Sequence, residues 1–243
     1  MSNAKIKVSI IILTYNAPRY VKITLDSIIT TTEIDYEIIV VDNASRIKTK
    51  KILLNYFNKG VINKLLFLDE NTFFAKGNNI GSKLCDINST HILLLNSDIK
   101  VNNKDWLKVL VNSHKKGATS FGITVNEPVR ADGFCFLIDK EIYLNNLLDE
   151  NYEWWWSVTK LQGVILREGY SIQSFINHDE YLYHYGGRSK MDLTKVKGLD
   201  IDMTEVNNWF KDKKVEQIDL GSKIVVSALQ KKIRKLTDIV LNK

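Results

Sequence analysis

The sequence predicts an α/β fold, a mostly parallel central sheet with helices on both faces. Short β-branched runs alternate with helical patterns through the first half of the chain, the signature of βαβ units. The runs are apolar at nearly every position, as strands covered on both faces must be. At 243 residues, 44% of them hydrophobic and 26% charged, the chain is long enough to bury one substantial core.

The strands read Val8 to Leu13, Glu37 to Val41, Leu65 to Leu68 and His91 to Leu95. Helices between them start near Pro18, Thr49 and Phe74. Pro18 suits a first helical turn, where its missing N–H is no loss, and Asn16 is positioned to cap it. A helix from Asp105 to His114 follows, and mixed structure runs from Gly117 to Ile138. The break in rhythm divides a nucleotide-binding half from an acceptor-side half within one domain, residues 5–190. From Met191 the chain turns polar and lysine-rich, which predicts a C-terminal helical extension, residues 191–243. There Val226, Leu229, Ile233, Leu236 and Val240 recur at spacings of three and four, an apolar seam with Lys231, Lys232, Arg234 and Lys235 off it. Such a seam can pack on the domain, pair two copies in a homodimer, or lie on an anionic membrane surface.

Composition narrows the function. Two cysteines, Cys85 and Cys135, give neither a disulfide framework nor a CxxC zinc motif, and they suit a reducing compartment. No run approaches the ~18 apolar residues of a membrane span, and no secretory cleavage pattern opens the chain, so a cytoplasmic protein is expected. The net charge of +6, from 34 basic and 28 acidic residues, suits an anionic small molecule or a membrane face and does not call for nucleic acid.

In open parallel sheets ligands lie beyond the carboxyl ends of the strands. Here those ends are Thr14-Tyr15-Asn16, Asp42-Asn43-Ala44-Ser45, Asp69-Glu70-Asn71 and Asn96-Ser97-Asp98. Any one of them is also ordinary turn chemistry. Four in one register point to a ligand held by amides, carboxylates and an aromatic ring.

These segments resemble a known family, the inverting glycosyltransferases of family 2 with the GT-A fold, especially its rhamnosyltransferase-like members. VSIIILTYNAPRYVKITLDSI is similar to the family's first strand and helix, and YEIIVVDNAS to its second strand with a nucleotide-binding aspartate. ENTFFAKGNNIGSKL, HILLLNSDI, FCFLIDKEIY with LLDENY, and YLYHYGGRS resemble four further segments in the family's order, so the likeness covers residues 6 to 190. It implies a GT-A nucleotide-binding sandwich and a nucleotide-sugar donor, UDP- or dTDP-linked. The acceptor it implies is a hydroxyl of a surface glycan or lipid-linked molecule. By the same resemblance Thr14, Tyr15, Asn16 and Asp42 hold base and ribose, with Asn43 and Ser45 as helpers. Gly77, Asn78 and Asn79 lie under the donor, and Ser97, Arg188 and Ser189 lie near the diphosphate. Gly81 fits close helix packing equally well. Asp98, with Asn96 and His184, is implied as the site of a divalent cation, Mn2+ or Mg2+. Asn96 stands where the family carries an aspartate, which removes one charge.

The catalytic base is harder to place. The resemblance places a Glu-Asp pair about twelve residues ahead of Gly169-Tyr170, to take the acceptor's proton. Ser157 and Val158 occupy that spacing. Glu153 is four residues earlier, about one helical turn, and becomes the first candidate, with Asp149 and Glu150 behind it. Trp154, Trp155 and Trp156 follow, suited to the apolar face of a sugar or to the core. A nucleotidyltransferase or a dehydrogenase would want a glycine-rich loop after the first strand, and TYNAPRY has no glycine. The rival reading is a degenerate nucleotide-sugar-binding domain without activity.

Overall fold

The computed structural model describes residues 5–31, 33–187 and 193–221. The chain opens with β1 (Lys7–Thr14), α1 (Pro18–Ile28), β2 (Asp35–Asp42), α2 (Ile47–Asn58), β3 (Lys64–Phe67), α3 (Phe73–Ser82) and β4 (His91–Asn96). It continues through β5 (Ile99–Val101), α4 (Trp106–Asn112), β6 (Gly117–Phe121), β7 (Ile123–Thr124), β8 (Arg130–Ala131), β9 (Cys135–Asp139) and α5 (Lys140–Asn145). Then come α6 (Trp156–Arg167), β10 (Ser171–Phe175), β11 (Leu182–His184), α7 (Met203–Phe210) and β12 (Glu216–Ile218).

Eight strands form the central sheet in the order β12-β10-β6-β9-β4-β1-β2-β3. Only β9 runs antiparallel to its neighbours, β4 and β6. Alternation along β1 divides the core: Ile10 and Ile12 pack with Val21, Leu25 and Ile28 of α1 and with Trp106 of α4. Ile11 faces the opposite layer with Ala75 of α3 and with Ile142, Leu161 and Ile165 of α5 and α6. Close approach of α3 to β1 depends on glycine. A Cβ at Gly77 would come 2.5 Å from Leu13 Cδ1, and one at Gly81 2.7 Å from Ile11 Cγ2.

The expected boundary at residue 190 does not hold for the described part of the tail. Helix α7 buries Val206, Trp209 and Phe210 in the core layer shared with α6, and β12 pairs in parallel with β10. The polar composition reflects the outer face of α7; its apolar positions are buried. The seam from Val226 to Val240 lies outside the described residues. Among the described residues no helix is long and apolar enough to cross a membrane.

At the far end of the sheet, where β4 begins and β9 ends, His91 and Asp139 are cross-strand partners. His114, just ahead of β6, joins them, its Nε2 3.2 Å from Asp139 Oδ2. Burial, with the nearby His114 ring, pushes His91 down to about 4, so its ring is neutral near pH 7.

Candidate functional site

A cavity of about 670 Å3 opens at the carboxyl ends of β1, β2 and β4. Thr14 ends β1 and is the register partner of Asp42, which ends β2. Both are buried, and Thr14 Oγ1 and Asp42 Oδ1 find no hydrogen-bond partner. The other Asp42 oxygen accepts the Ser45 N–H at 3.1 Å. Burial raises the Asp42 carboxyl, against the opposing pull of Ser45 and Lys50. Thr14 and Tyr15 line the cavity; Asp42 sits behind that wall, between Thr14 and Asn43. A buried hydroxyl and a neighbouring buried carboxylate oxygen, both without partners, are a costly arrangement that polar groups of a ligand would relieve.

Loop residues also shape the cavity through bonds to one another, Asn16 from behind the wall and Asn43 from within it. Asn16 was expected to cap α1, but Ala17 holds that position with no side-chain bond. Instead Asn16 Oδ1 accepts the Arg46 N–H at 2.8 Å and its own N–H donates to Ser45 Oγ at 2.9 Å, joining the first two loops. Asn43 Oδ1 accepts from Thr72 N at 2.7 Å and Thr72 Oγ1 at 3.0 Å, while its Nδ2 donates to the Phe73 carbonyl at 3.2 Å. That latch holds Asn71, Phe73 and Phe74 on the cavity wall. Asn16, Ala44 and Phe73 all have positive φ, at 49°, 61° and 57°, so backbone strain gathers around this site.

Gly77, Asn78 and Asn79 do not line the cavity. Gly77 faces Leu13, and Asn78 Nδ2 bonds the Phe74 carbonyl at 2.8 Å. Asn79 is committed at both ends, to Leu148 O and Glu150 Oε1 through its amide and to Tyr143 OH and Leu148 N through its oxygen. These residues support the wall from behind.

On the other side of the cavity, Asn96, Asp98 and His184 do come together. Strand β11 pairs antiparallel with β5, setting His184 opposite Ile99, and the Tyr185 N–H donates to the Asp98 carbonyl at 3.0 Å. His184 Nε2 is then 3.2 Å from Asp98 Oδ1 and 3.3 Å from Asn96 Nδ2. Phe134 stacks on the His184 ring at 4.5 Å and 25°. Thr24 of α1 pins the turn beneath, its Oγ1 2.9 Å from Ser97 O and 2.8 Å from Ile99 O. Ser97 and Gly187 line the cavity, while Arg188 and Ser189 lie outside the described residues. The carboxylate and imidazole suit a divalent cation. Rotating the Asn96 amide would turn its oxygen toward the same point, since O and N in an amide are assigned from bonding.

None of the three carboxylates expected to act as base lines the cavity. Glu153 Oε2 accepts the Lys197 N–H at 2.7 Å, and its carbonyl accepts the Phe74 N–H at 2.9 Å. Asp149 pairs with Lys160 at 2.5 Å; burial raises its carboxyl, but Lys160 and Asn151 outweigh that and hold it low. Glu150 is the Asn79 partner. Helix α6 begins only at Trp156, so no added turn carries Glu153 onto the family's catalytic face. Val158 instead faces the cavity, packed against Gly133, where a Cβ would come 3.1 Å from Val158 Cγ2.

The carboxylates on the cavity wall among the described residues are Asp98 and Asp132. Asp132 Oδ1 accepts Thr124 Oγ1 at 2.9 Å, and burial raises its carboxyl despite Thr124, His184 and Arg130. The strand-end rule missed it because Asp132 precedes β9, whose antiparallel course brings its amino end to the ligand side. Trp154 and Trp155 also line the cavity, Trp155 half-exposed. Trp156 belongs to the core, its Nε1 bonded to Leu199 O at 2.9 Å.

The chain is similar in fold to several solved structures. Staphylococcus aureus TarS aligns with a TM-score of 0.52 at 19% identity, over 65% of this chain and 33% of that one. The mannosyltransferase PcManGT of Pyrobaculum calidifontis, in complex with GDP-Man and Mn2+, aligns at 0.58 and 17% identity, over 67% and 52%. GalNAc-T7, with UDP, GalNAc and Mn2+, aligns at 0.55 and 16% identity, over 68% and 41%. The chain thus spans between a third and about half the length of these proteins. No curated protein matches it in sequence. The sequence model for Glycosyl transferase family 2 matches residues 9–134, more than half of the chain and including the ends of β1, β2 and β4 at the cavity, so the chain belongs to glycosyl transferase family 2.

Proposed function

We propose that this chain is an inverting glycosyltransferase that moves a hexosyl or deoxyhexosyl group from a UDP- or dTDP-sugar to a hydroxyl of a surface glycan or lipid-linked acceptor. The observation that carries the reading is one cavity flanked by two complementary features, the unpartnered oxygens of Thr14 and Asp42 and the Asp98–His184–Asn96 cluster. The first suits the polar edge of a nucleobase or a ribose hydroxyl. The second suits Mn2+ or Mg2+, and two solved structures of similar fold are complexes with Mn2+ together with GDP-Man or with UDP and GalNAc. Bound there, the cation would offset the charge of a departing diphosphate.

In this reading Asp132, a carboxylate on the cavity wall, takes the acceptor's proton. As the acceptor oxygen bonds to the anomeric carbon, the bond to the diphosphate breaks and the leaving group keeps the electron pair, while the proton passes to the carboxylate. Partial burial, which raises the carboxyl, moves it toward the range where a base accepts readily. Trp155 offers an aromatic face for the acceptor sugar.

Asp132→Asn keeps the shape and the Thr124 bond while removing the proton acceptor. Transfer is expected to fall roughly 10²–10⁴-fold, with donor-induced thermal stabilisation preserved. An unchanged rate assigns the base elsewhere. Val158 in the usual base position favours one other reading, a nucleotide-sugar-binding domain without turnover. Donor that binds and is never consumed with any acceptor establishes that alternative.

A further inference from the structure

The four histidines of the chain divide between two places, and two of them meet about 17 Å from the sugar site, the length of a six-residue strand. His91, His114 and Asp139 each present a ligand atom, all within 4.8 Å of one another. Both imidazole side chains are about nine-tenths buried. Each ring is oriented from behind by a threonine: His91 Nδ1 lies 2.8 Å from Thr90 Oγ1 and His114 Nδ1 lies 3.0 Å from Thr119 Oγ1. Metal-ligating histidines have their far nitrogen fixed by a hydrogen bond to an oxygen acceptor, a role the threonine hydroxyl oxygens can fill here.

Thr90 Oγ1 also lies 3.1 Å from the Lys7 carbonyl and accepts the Lys7 N–H at 3.2 Å. With the hydroxyl proton donated to the Lys7 carbonyl, His91 Nδ1–H donates to Thr90 and Nε2 is left for an ion. On the other side of the ring His91 Nε2 faces Asp139 Oδ1, 3.9 Å away, with room for a cation to be shared between them.

We propose that His91, His114 and Asp139 hold a structural zinc ion that ties β4, β9 and the α4–β6 connection together at the end of the sheet opposite the cavity. Two imidazoles and one carboxylate favour Zn2+ over Mg2+ or Ca2+, which prefer oxygen. Ligands that share a tetrahedral zinc at about 2.0–2.1 Å lie roughly 3.3 Å apart. The His114–Asp139 spacing of 3.2 Å already meets that, and a small rotation of His91 closes the remainder. Asp139 is a quarter exposed, so a water can complete the shell. In that state His114 Nδ1–H donates to Thr119, leaving Nε2 for the ion. Without metal, His114 Nε2–H would simply donate to Asp139.

The test uses the full chain, stripped with chelator and titrated with Zn2+ alone. Bound zinc is measured per chain, and thermal unfolding is followed in the parent, Asp98→Ala and His114→Gln. Asp98→Ala removes the cation ligand of the sugar site and isolates the far site. The expected result is one zinc per chain and a rise of roughly 5–10 °C at saturating zinc, retained in Asp98→Ala and absent in His114→Gln. Zinc binding that vanishes with Asp98→Ala and persists in His114→Gln overturns the proposal, as does a parent that takes up no zinc. Should His114→Gln fail to fold, Co2+ in Asp98→Ala decides: strong four-coordinate visible bands support the site, and weak six-coordinate bands or none refute it.

Discussion

Asp42 is wholly buried, with one oxygen bonded to Ser45 and the other without a donor, so its ionised form is disfavoured by burial in the fold relative to the unfolded chain. The folded-state pKa therefore lies above the unfolded value. Below the ordinary carboxylate value of 3.8 the group is protonated in both states and costs nothing. As pH rises through the raised folded value, the fold loses stability relative to a chain with no charge there. Asp42→Asn keeps the Ser45 bond, and the prediction is that it unfolds at higher urea than the parent at pH 7, with the gap closing as pH falls below the carboxylate range. The same variant should bind nucleotide diphosphate on the order of 10- to 100-fold more weakly, the ~1.5–3 kcal/mol of a hydrogen bond to a charged group, measured by calorimetry. The position of Thr14, Asp42 and Asp98 at the cavity end of the sheet was legible in the sequence because each stands at or just beyond the end of a parallel strand. Asp132 was not, because it precedes an antiparallel one. Glu153 misled because spacing along the chain does not reveal that its carboxylate is already bound to Lys197.

The parallel strands announced themselves by being apolar on both faces, and the helices between them by amphipathic spacing. Helix α7 did not, because three buried side chains in a polar stretch carry too little pattern to read. Its packing rests on one small residue. A Cβ at Gly163 of α6 would come 2.5 Å from the Trp209 carbonyl oxygen and 2.8 Å from its carbon, backbone atoms that cannot rotate away. Gly163→Ala should therefore push α7 off α6 even though alanine favours helix, with a net loss of about 1–3 kcal/mol typical of overpacking. Urea denaturation of the variant, followed by tryptophan fluorescence, checks this; unchanged stability would mean that α7 adjusts freely. The control is Gly169→Ala, which sits at φ +86° with open space around it, so only backbone strain operates there.

At the scale of the molecule, the sheet closes at β12, and that edge lies beyond the point where composition alone placed the end of the domain. Sequence reading marked residue 190 because lysines begin to dominate there; the solvent side of a packed element looks the same as a free tail until its buried side is seen. Removing everything after residue 201 would uncover the surface under Val206, Trp209 and Phe210 and leave β10 as an unprotected edge. Each of those side chains contributes about 1.5–3 kcal/mol by burial, and their sum is a large share of the ~5–15 kcal/mol that holds a typical domain folded. The shortened chain is expected to lose its cooperative thermal transition and to aggregate. A chain ending at Gly221 keeps α7 and β12 and should melt like the full chain, within a few degrees. That second variant also carries the test of the lysine-flanked seam from Val226 to Val240: sedimentation with anionic vesicles should pull down the full chain in a salt-sensitive way and leave the chain ending at Gly221 in solution, each basic residue near the surface contributing about 1 kcal/mol. A fall in sedimentation size on truncation, with no vesicle binding by either chain, would instead assign the seam to pairing between two copies.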